Sequence, residues 1–350
     1  MPVADIGPQW PPAKYFRMKI SVVIPTYNSA ATIQATLESV ARQSVTPDEV
    51  LVLDDGSTDG TVGLLNAHRH LVTVLRQENA GVAAARSVLW QHAKGDLVAF
   101  LDHDDLWHPL YLEVQREMFR RHRGACAFFT GHIDFYGHGY YVWQDTQTII
   151  ETAEQIEPLD FFKQYNFATG RFGSMSFCCL PKHELRDIGH QPFRMDGVDD
   201  SYLCMLLPLT GSPVIYHPHP LVAYRITPNA QSVNKLKAFR SWVDVFELLE
   251  DRYQSASNRH LRKAFELAFA SKRRSYSKLL MGSGEVRVAR EQLWKSLRGG
   301  CGVRSGLKSF ALMTSTYLPS PLQPVWPHAS RVVRGLPGQP PNLEQESANS

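Results

Sequence analysis

The sequence predicts an α/β fold: a mostly parallel central sheet flanked by helices, with a helical extension at the C-terminal end. Three observations lead there. Short β-branched apolar runs alternate with helix-period stretches from Lys19 to about Gly131, the pattern of repeated βαβ units. One of those runs, Leu97–Leu101, is wholly apolar, as a strand covered on both faces must be. Past residue 234 the apolar spacing turns helical and stays so. These changes imply an N-terminal extension at 1–18, an α/β domain at 19–230, a helical region at 231–318 and a proline-rich, flexible tail at 319–350.

The elements follow in order. Ile20–Ile24 opens the sheet, and Ala30 to Gln43 keeps helical spacing through Ile33, Leu37 and Val40, with Asn28 and Ser29 as candidate caps. Val50–Leu53 is the second strand, after which Ser57 or Thr58 is placed to cap a short helix through Leu64 and Leu65. Leu71–Leu75 is the third strand, and alanine-rich Gly81–Ala93 is the next helix. After Leu97–Leu101, Pro109 suits the first turn of a helix, and Ala125–Thr130 supplies another strand. From Phe128 to Thr227 aromatic and polar residues mix without a clean period, which reads as a second half with longer, specificity-bearing loops. Beyond it, Phe239, Trp242, Val243, Phe246 and Leu249, then Leu261, Phe265 and Phe269, recur at helical spacing.

Composition narrows the function classes. A net charge of +3 on 350 residues gives no reason to expect a nucleic-acid partner. Cys126, Cys178, Cys179, Cys204 and Cys301 make an odd set without CxxC spacing, the pattern of reduced thiols in a cytoplasmic protein. Met1 to Lys19 lacks the apolar run of a signal peptide, and no window is long and apolar enough to span a membrane, so any membrane contact is peripheral. Basic residues gather in the last third, around Lys272, Arg273, Arg274, Arg287, Arg290, Lys295, Arg304 and Lys308. Apolar residues are interspersed among them, a composition suited either to a solvated helical face or to the anionic inner face of a membrane.

In an open parallel sheet, ligands gather beyond the carboxyl ends of the strands. Three polar clusters follow strands here: Pro25-Thr26-Tyr27-Asn28, Asp54-Asp55-Gly56-Ser57-Thr58-Asp59 and Asp102-His103-Asp104-Asp105. All three should meet at one edge. The segments SVVIPTYN, LVLDDGSTDGT, ENAGVAAAR and FLDHDD, in this order and spacing, resemble the family 2 glycosyltransferases of the Rossmann-like GT-A fold over about Lys19 to Arg225. The resemblance implies inverting transfer of a sugar from a nucleotide-sugar donor, usually with a divalent metal, to a saccharide or lipid-linked saccharide acceptor.

The residues have their own physical readings. Asp102 and Asp104 stand two apart at a strand end, so an extended chain points their side chains alike, and Asp105 adds a third carboxylate. Mutually repelling carboxylates call for a neutralising charge, and hard Mg²⁺ or Mn²⁺ takes oxygen ligands and bridges to a diphosphate. A solvated acidic turn capping the helix near Pro109 is the competing explanation. Pro25, Thr26 and Tyr27 would floor a base pocket in which Asp55 accepts an imide N–H, favouring uracil or thymine. Asp54 then braces the loop. The resemblance puts Asn79, Gly81 and Arg86 beside the donor, with Arg86 free to pair with phosphate, and counts Asp102 with the nucleotide as well as the metal.

Gly197-Val198-Asp199-Asp200-Ser201 resembles the family's acidic pair at a helix start, whose second acid is the proposed base. That selects Asp200, with Asp199 in place of the more usual glutamate. Thr227 stands where relatives often carry a histidine, so that segment gains no metal role. Two other classes stay open: a non-catalytic module that binds nucleotide-sugar or a protein partner, and a nucleotidyltransferase. The second is disfavoured because no glycine-rich, arginine-containing loop follows the first strand.

Overall fold

In the computed structural model of this chain, which describes residues 18–137, 140–143, 153–167, 171–189, 192–195, 197–226, 235–298 and 303–317, the first half is as periodic as its sequence. Strands β1 (Ile20–Thr26), β2 (Glu49–Asp54), β3 (Thr73–Arg76) and β4 (Leu97–Phe100) are joined by helices α1 (Ile33–Ala41), α2 (Thr61–Ala67) and α3 (Val82–His92). β1 and β4 are buried at every position, which is why they read as unbroken apolar runs. β1 lies parallel to β2 on one side and β4 on the other, and β2 lies parallel to β3. The carboxyl ends of β1, β2 and β4 therefore share one edge, with Thr26 in register with Asp54.

Two helices begin later than their candidate caps suggest. α1 starts at Ile33, and the Ser29 carbonyl accepts the N–H groups of Thr32 and Ile33 at 3.0 and 2.9 Å. α2 starts at Thr61, behind Gly60. Asn28 and Ser57 instead join one loop to the other. The Asn28 N–H donates to Ser57 Oγ at 2.9 Å, and Asn28 Oδ1 accepts the Thr58 N–H at 2.9 Å. Asp59 accepts the Ala30 N–H at 3.1 Å. Short polar side chains that bond backbone across a gap are lost as helix caps but fix the loops at the sheet edge.

The second half contains β5 (Leu106–Trp107), α4 (Tyr111–Arg121), β6 (Ala127–Tyr136), β7 (Glu154–Ile156), α5 (Pro158–Phe167), β8 (Cys178–Pro181), α6 (Lys182–Ile188), α7 (Asp199–Leu206) and β9 (Val214–Ile226). β8 inserts antiparallel between β4 and β6, while β9 runs parallel to β6 and antiparallel to β5 and β7. The sheet of nine described strands is thus parallel in its first half and mixed in its second. The β6–β9 register slips at Gly131, where a Cβ would lie 2.5 Å from the Pro218 carbonyl oxygen, so only glycine lets the two strands approach.

The described residues fall into two compact units, Met1–Val233 with Asp244–Phe265, and Asn234–Val243 with Glu266–Ser350. In the first, parts of α8 (Lys235–Gln254) and α9 (Arg259–Gly282) complete the core: Tyr253 stacks on Phe265 at 4.2 Å, and its hydroxyl donates to the Met205 carbonyl at 2.5 Å. The second adds α10 (Val286–Arg298) and α11 (Val303–Ser315), joined to α9 where Arg274 Nη1 donates to Ser305 Oγ at 2.7 Å. α11 bears no acidic residue and leaves Leu307 and Phe310 more than half exposed. The extension at 1–17, Thr227, Cys301 and the tail from 318 lie outside the described residues.

Candidate active site

The carboxyl edge of the sheet holds a cleft of about 330 Å³, lined by Pro25, Thr26, Tyr27, Asp55, Asn79 and Gly81 and joined by His103. Six residues singled out in the sequence are therefore brought to one concave surface. Tyr27 is 44% exposed, which leaves its ring open for stacking. Gly81 adopts φ 88°, a conformation that favours glycine, and opens α3 directly at the cleft. Asp55 is buried and already engaged: Oδ1 accepts Gln77 Nε2 at 2.7 Å and the Ala80 N–H at 3.0 Å, and Oδ2 accepts the Gly81 N–H at 2.8 Å. It shapes the loop before α3 as well as facing the cleft. Asp54 braces its own turn, accepting the Ser57 N–H at 3.1 Å and facing Arg76 Nε at 3.1 Å.

The Asp102–Asp105 segment is a turn and not an extended strand end, because the Asp105 N–H bonds the Asp102 carbonyl at 3.2 Å. Thr36 on α1 fixes it, its hydroxyl lying 2.9 Å from the His103 carbonyl and 3.0 Å from that of Asp105. The three carboxylates of the turn differ in their surroundings. Asp105 is fully buried and accepts the Arg225 N–H at 2.9 Å. Burial, then Asp104 and Asp102, push its pKa well above the usual range. Asp104 stays at the edge, its pKa raised by burial and by Asp102 against the pull of His103.

Arg86 departs furthest from expectation. Its side chain is buried, Nη2 pairs with Asp102 Oδ1, and Nη1 reaches Asp199 Oδ2 at 2.5 Å, so both ends of the fork are held by carboxylates and not left open for phosphate. Burial opposes the charge, but Asp102 and Asp199 outweigh it and raise the Arg86 pKa. One guanidinium thus bridges β4's acidic turn to the start of α7. Beside Asp199, Asp200 is half-buried and accepts the Ser201 N–H at 2.5 Å. Burial and the neighbouring Asp199 push its pKa up to about 6.

Residues 21–180 match the family model described as Glycosyl transferase family 2. Over this segment, which is 160 of the 350 residues, the chain is similar to glycosyl transferase family 2. Among relatives of the family, the putative teichuronic acid biosynthesis glycosyltransferase TuaG of Bacillus subtilis (strain 168) is 40% identical over 118 residues, 32% of this chain and 46% of that protein. The UDP-Glc:alpha-D-GlcNAc-diphosphoundecaprenol beta-1,3-glucosyltransferase WfgD of Escherichia coli is 39% identical over 101 residues, 28% of this chain and 40% of that protein. The aligned segments cover less than half the length of either relative. A solved structure of S. aureus TarS 1-349 in complex with UDP-GlcNAc matches with a TM-score of 0.63 at 20% identity, covering 85% of this chain and 84% of that one. The fold is GT-A, with the helical extension that the apolar spacing beyond residue 234 announces.

Several residues of this site carry no local signature. Ser176 Oγ accepts the Asp102 N–H at 2.9 Å, and Ser174 Oγ donates to Asp102 Oδ2 at 3.3 Å. Tyr224 on β9 is pushed to high pKa by burial and then by Asp105, Asp102, Asp104 and Asp200, which places its hydroxyl among the acids of both halves. Nothing in the surrounding sequence distinguishes Ser174 or Ser176. Among the described residues no three His, Cys, Asp or Glu side chains are grouped to hold a metal by themselves. Asp102 and Asp104 nonetheless suit Mg²⁺ or Mn²⁺ of the kind bound through one or two carboxylates and completed by substrate phosphates.

Proposed function

We propose that this chain is an inverting glycosyltransferase that moves a sugar from a UDP- or dTDP-sugar to an acceptor hydroxyl, with Asp200 as general base. The observation that carries this reading is the buried Arg86 bridge, which ties Asp102, in the turn after β4, to Asp199, the chain neighbour of Asp200. Asp200 takes the proton from the acceptor hydroxyl; that oxygen forms the new bond to the anomeric carbon as the bond to the nucleoside diphosphate breaks, the electron pair leaving with the phosphate. A carboxyl pKa of about 6 suits a base that works near neutral pH. Asp199 and Arg86 hold the base in place and do not exchange protons.

In the donor cleft, Tyr27 stacks on a pyrimidine whose imide N–H meets Asp55, with Pro25, Thr26, Asn79 and Gly81 as walls. Asp102 and Asp104 would hold a Mn²⁺ or Mg²⁺ ion, which when bound offsets negative charge on the departing diphosphate. The printed acceptor of WfgD, a diphosphoundecaprenol-linked sugar, supports a saccharide or lipid-linked saccharide acceptor here. No described helix is long and apolar enough to cross a membrane. The basic, outwardly apolar α11 supports peripheral contact with an inner membrane face, and the division at 19–230 and 231–318 separates catalysis from that contact.

The test is nucleotide binding. UDP should bind wild-type protein roughly tenfold or more tightly with Mn²⁺ than with chelator, and Asp104→Ala should abolish the difference. Equal affinity with and without chelator, or a preference for GDP over UDP and dTDP, would overturn the donor-site assignment.

A further inference from the structure

At the opposite edge of the sheet, where β1 and β4 begin, a second cleft of about 300 Å³ is ringed by Lys94, Arg123, Lys182, His183 and Arg186, with Asp96 as its lone lining acid. The cations come from three separate places in the chain. Lys94 precedes β4, Arg123 follows α4, and Lys182 and Arg186 lie on α6. Gly95 brings them together: a Cβ there would stand 2.6 Å from the Ser21 nitrogen, so only glycine lets this connection lie against β1.

Two members of the ring have partners, Lys182 Nζ donating to the Ala93 carbonyl and His183 Nε2 lying 3.7 Å from Glu184 Oε1, but little carboxylate charge faces the rest. Asp96 accepts the Lys19 N–H at 2.9 Å, so part of its carboxylate already serves the backbone. Glu49, which acts on Lys182, accepts Ser21 Oγ at 2.5 Å and the Lys94 N–H. Among the described residues, no ion pair joins Lys94, Arg123, Lys182 or Arg186 to a carboxylate. Burial, and then Arg186, lower the Lys182 pKa against the weaker pull of Glu49. Solvated cations on a convex surface need no partner; cations converging on a concave cleft concentrate the field there and repel one another until an anion enters.

We propose that this cleft is a second ligand site, for a phosphate-bearing anion, roughly 20 Å from the donor cleft by the length of β1. Several donors on a ring of this size suit a diphosphate, which accepts charge-assisted hydrogen bonds on more than one side. The anion could be soluble or the headgroup of a lipid. The proposal does not depend on the assigned transfer reaction and can fail without affecting it.

Isothermal titration of the full chain with inorganic pyrophosphate, in chelator, tests it. Wild type should bind, and Lys94→Ala/Arg123→Ala/Arg186→Ala should weaken binding by about tenfold or more while keeping wild-type affinity for UDP with Mn²⁺. A control that loses the same charge elsewhere, Arg69→Ala/Arg116→Ala/Lys163→Ala, should bind pyrophosphate as wild type does. Retained UDP binding also shows that the first variant folds. Co-sedimentation with phosphatidic acid vesicles that the first variant loses would mark the source as a lipid headgroup, and pyrophosphate binding without co-sedimentation would mark it as soluble. Equal pyrophosphate affinity in the two triple variants, or no binding of either probe by wild type, would overturn the proposal.

Discussion

The two halves of the sheet solve different problems. In the donor half, β1 to β4 run parallel and in near-sequential order, and the cleft residues sit at the end of a strand or in the loop that follows it. In the acceptor half, β8 and β9 reach the site out of order and bring Ser176, Tyr224 and the α7 acids with them. A nucleotide can be held by one regular repeat of the fold because its recognition is local to strand ends. Chemistry on an acceptor needs groups from distant stretches held to within fractions of an ångström. Arg86 is where the halves meet: a donor-half residue buried against an acceptor-half carboxylate.

The largest effect expected from breaking this division lies on the acceptor side. Asp200→Asn should lower turnover by ~10²–10⁴-fold with nucleotide affinity unchanged, since only the proton transfer is removed. If Asp199→Asn loses turnover and Asp200→Asn does not, the base is Asp199. The wild-type rate should also rise with pH through about 6, because a base pKa raised to that value leaves Asp200 protonated and idle below it. A rate that stays flat between pH 5 and pH 7 on steady-state assay would separate Asp200 from the proton transfer.

The next effect tests the join. Arg86→Met should leave Asp199 buried without its partner and cost about 3–5 kcal/mol of stability by denaturant unfolding, with activity lost even where the fold survives. A cost below roughly 1 kcal/mol, the range of exposed pairs, would mean that the bridge is not what holds the halves in register. The smallest effect is confined to the donor side. Asp55→Ala should remove most of the preference for UDP over GDP, worth about 1–3 kcal/mol in competition binding, and should loosen the Gln77–Gly81 loop that Asp55 anchors. Unchanged selectivity would assign Asp55 to the loop alone.

Much of the donor half could be read from the sequence because local rules decide it: apolar runs fix strands buried on both faces, and polar clusters after them fall at the ligand edge. Pro25, Tyr27 and Asp55 follow their strands directly, whereas Asn79 and Gly81 entered the reading through the family resemblance. The Arg86 bridge to Asp199 could not be read, because a forked cation looks the same in sequence whether phosphate or a carboxylate more than a hundred positions away receives it. The turn at Asp102–Asp105 was equally hidden, because nothing local shows that the chain leaves its extended course after Leu101. The acceptor half was opaque for a related reason, since β5 and β8 are too short to show a period and pair with strands far away in sequence.

The insertion of β8 between β4 and β6 has a consequence during synthesis. Until Cys178–Pro181 is made, the wholly buried strand Leu97–Phe100 has no neighbour on one side. At ~5–20 residues per second, the roughly eighty residues between them leave that apolar edge open for about 4–16 s on every ribosome. Such an edge is a template for pairing with other chains, so the yield of folded protein should depend on the rate of elongation through the second half of the sheet.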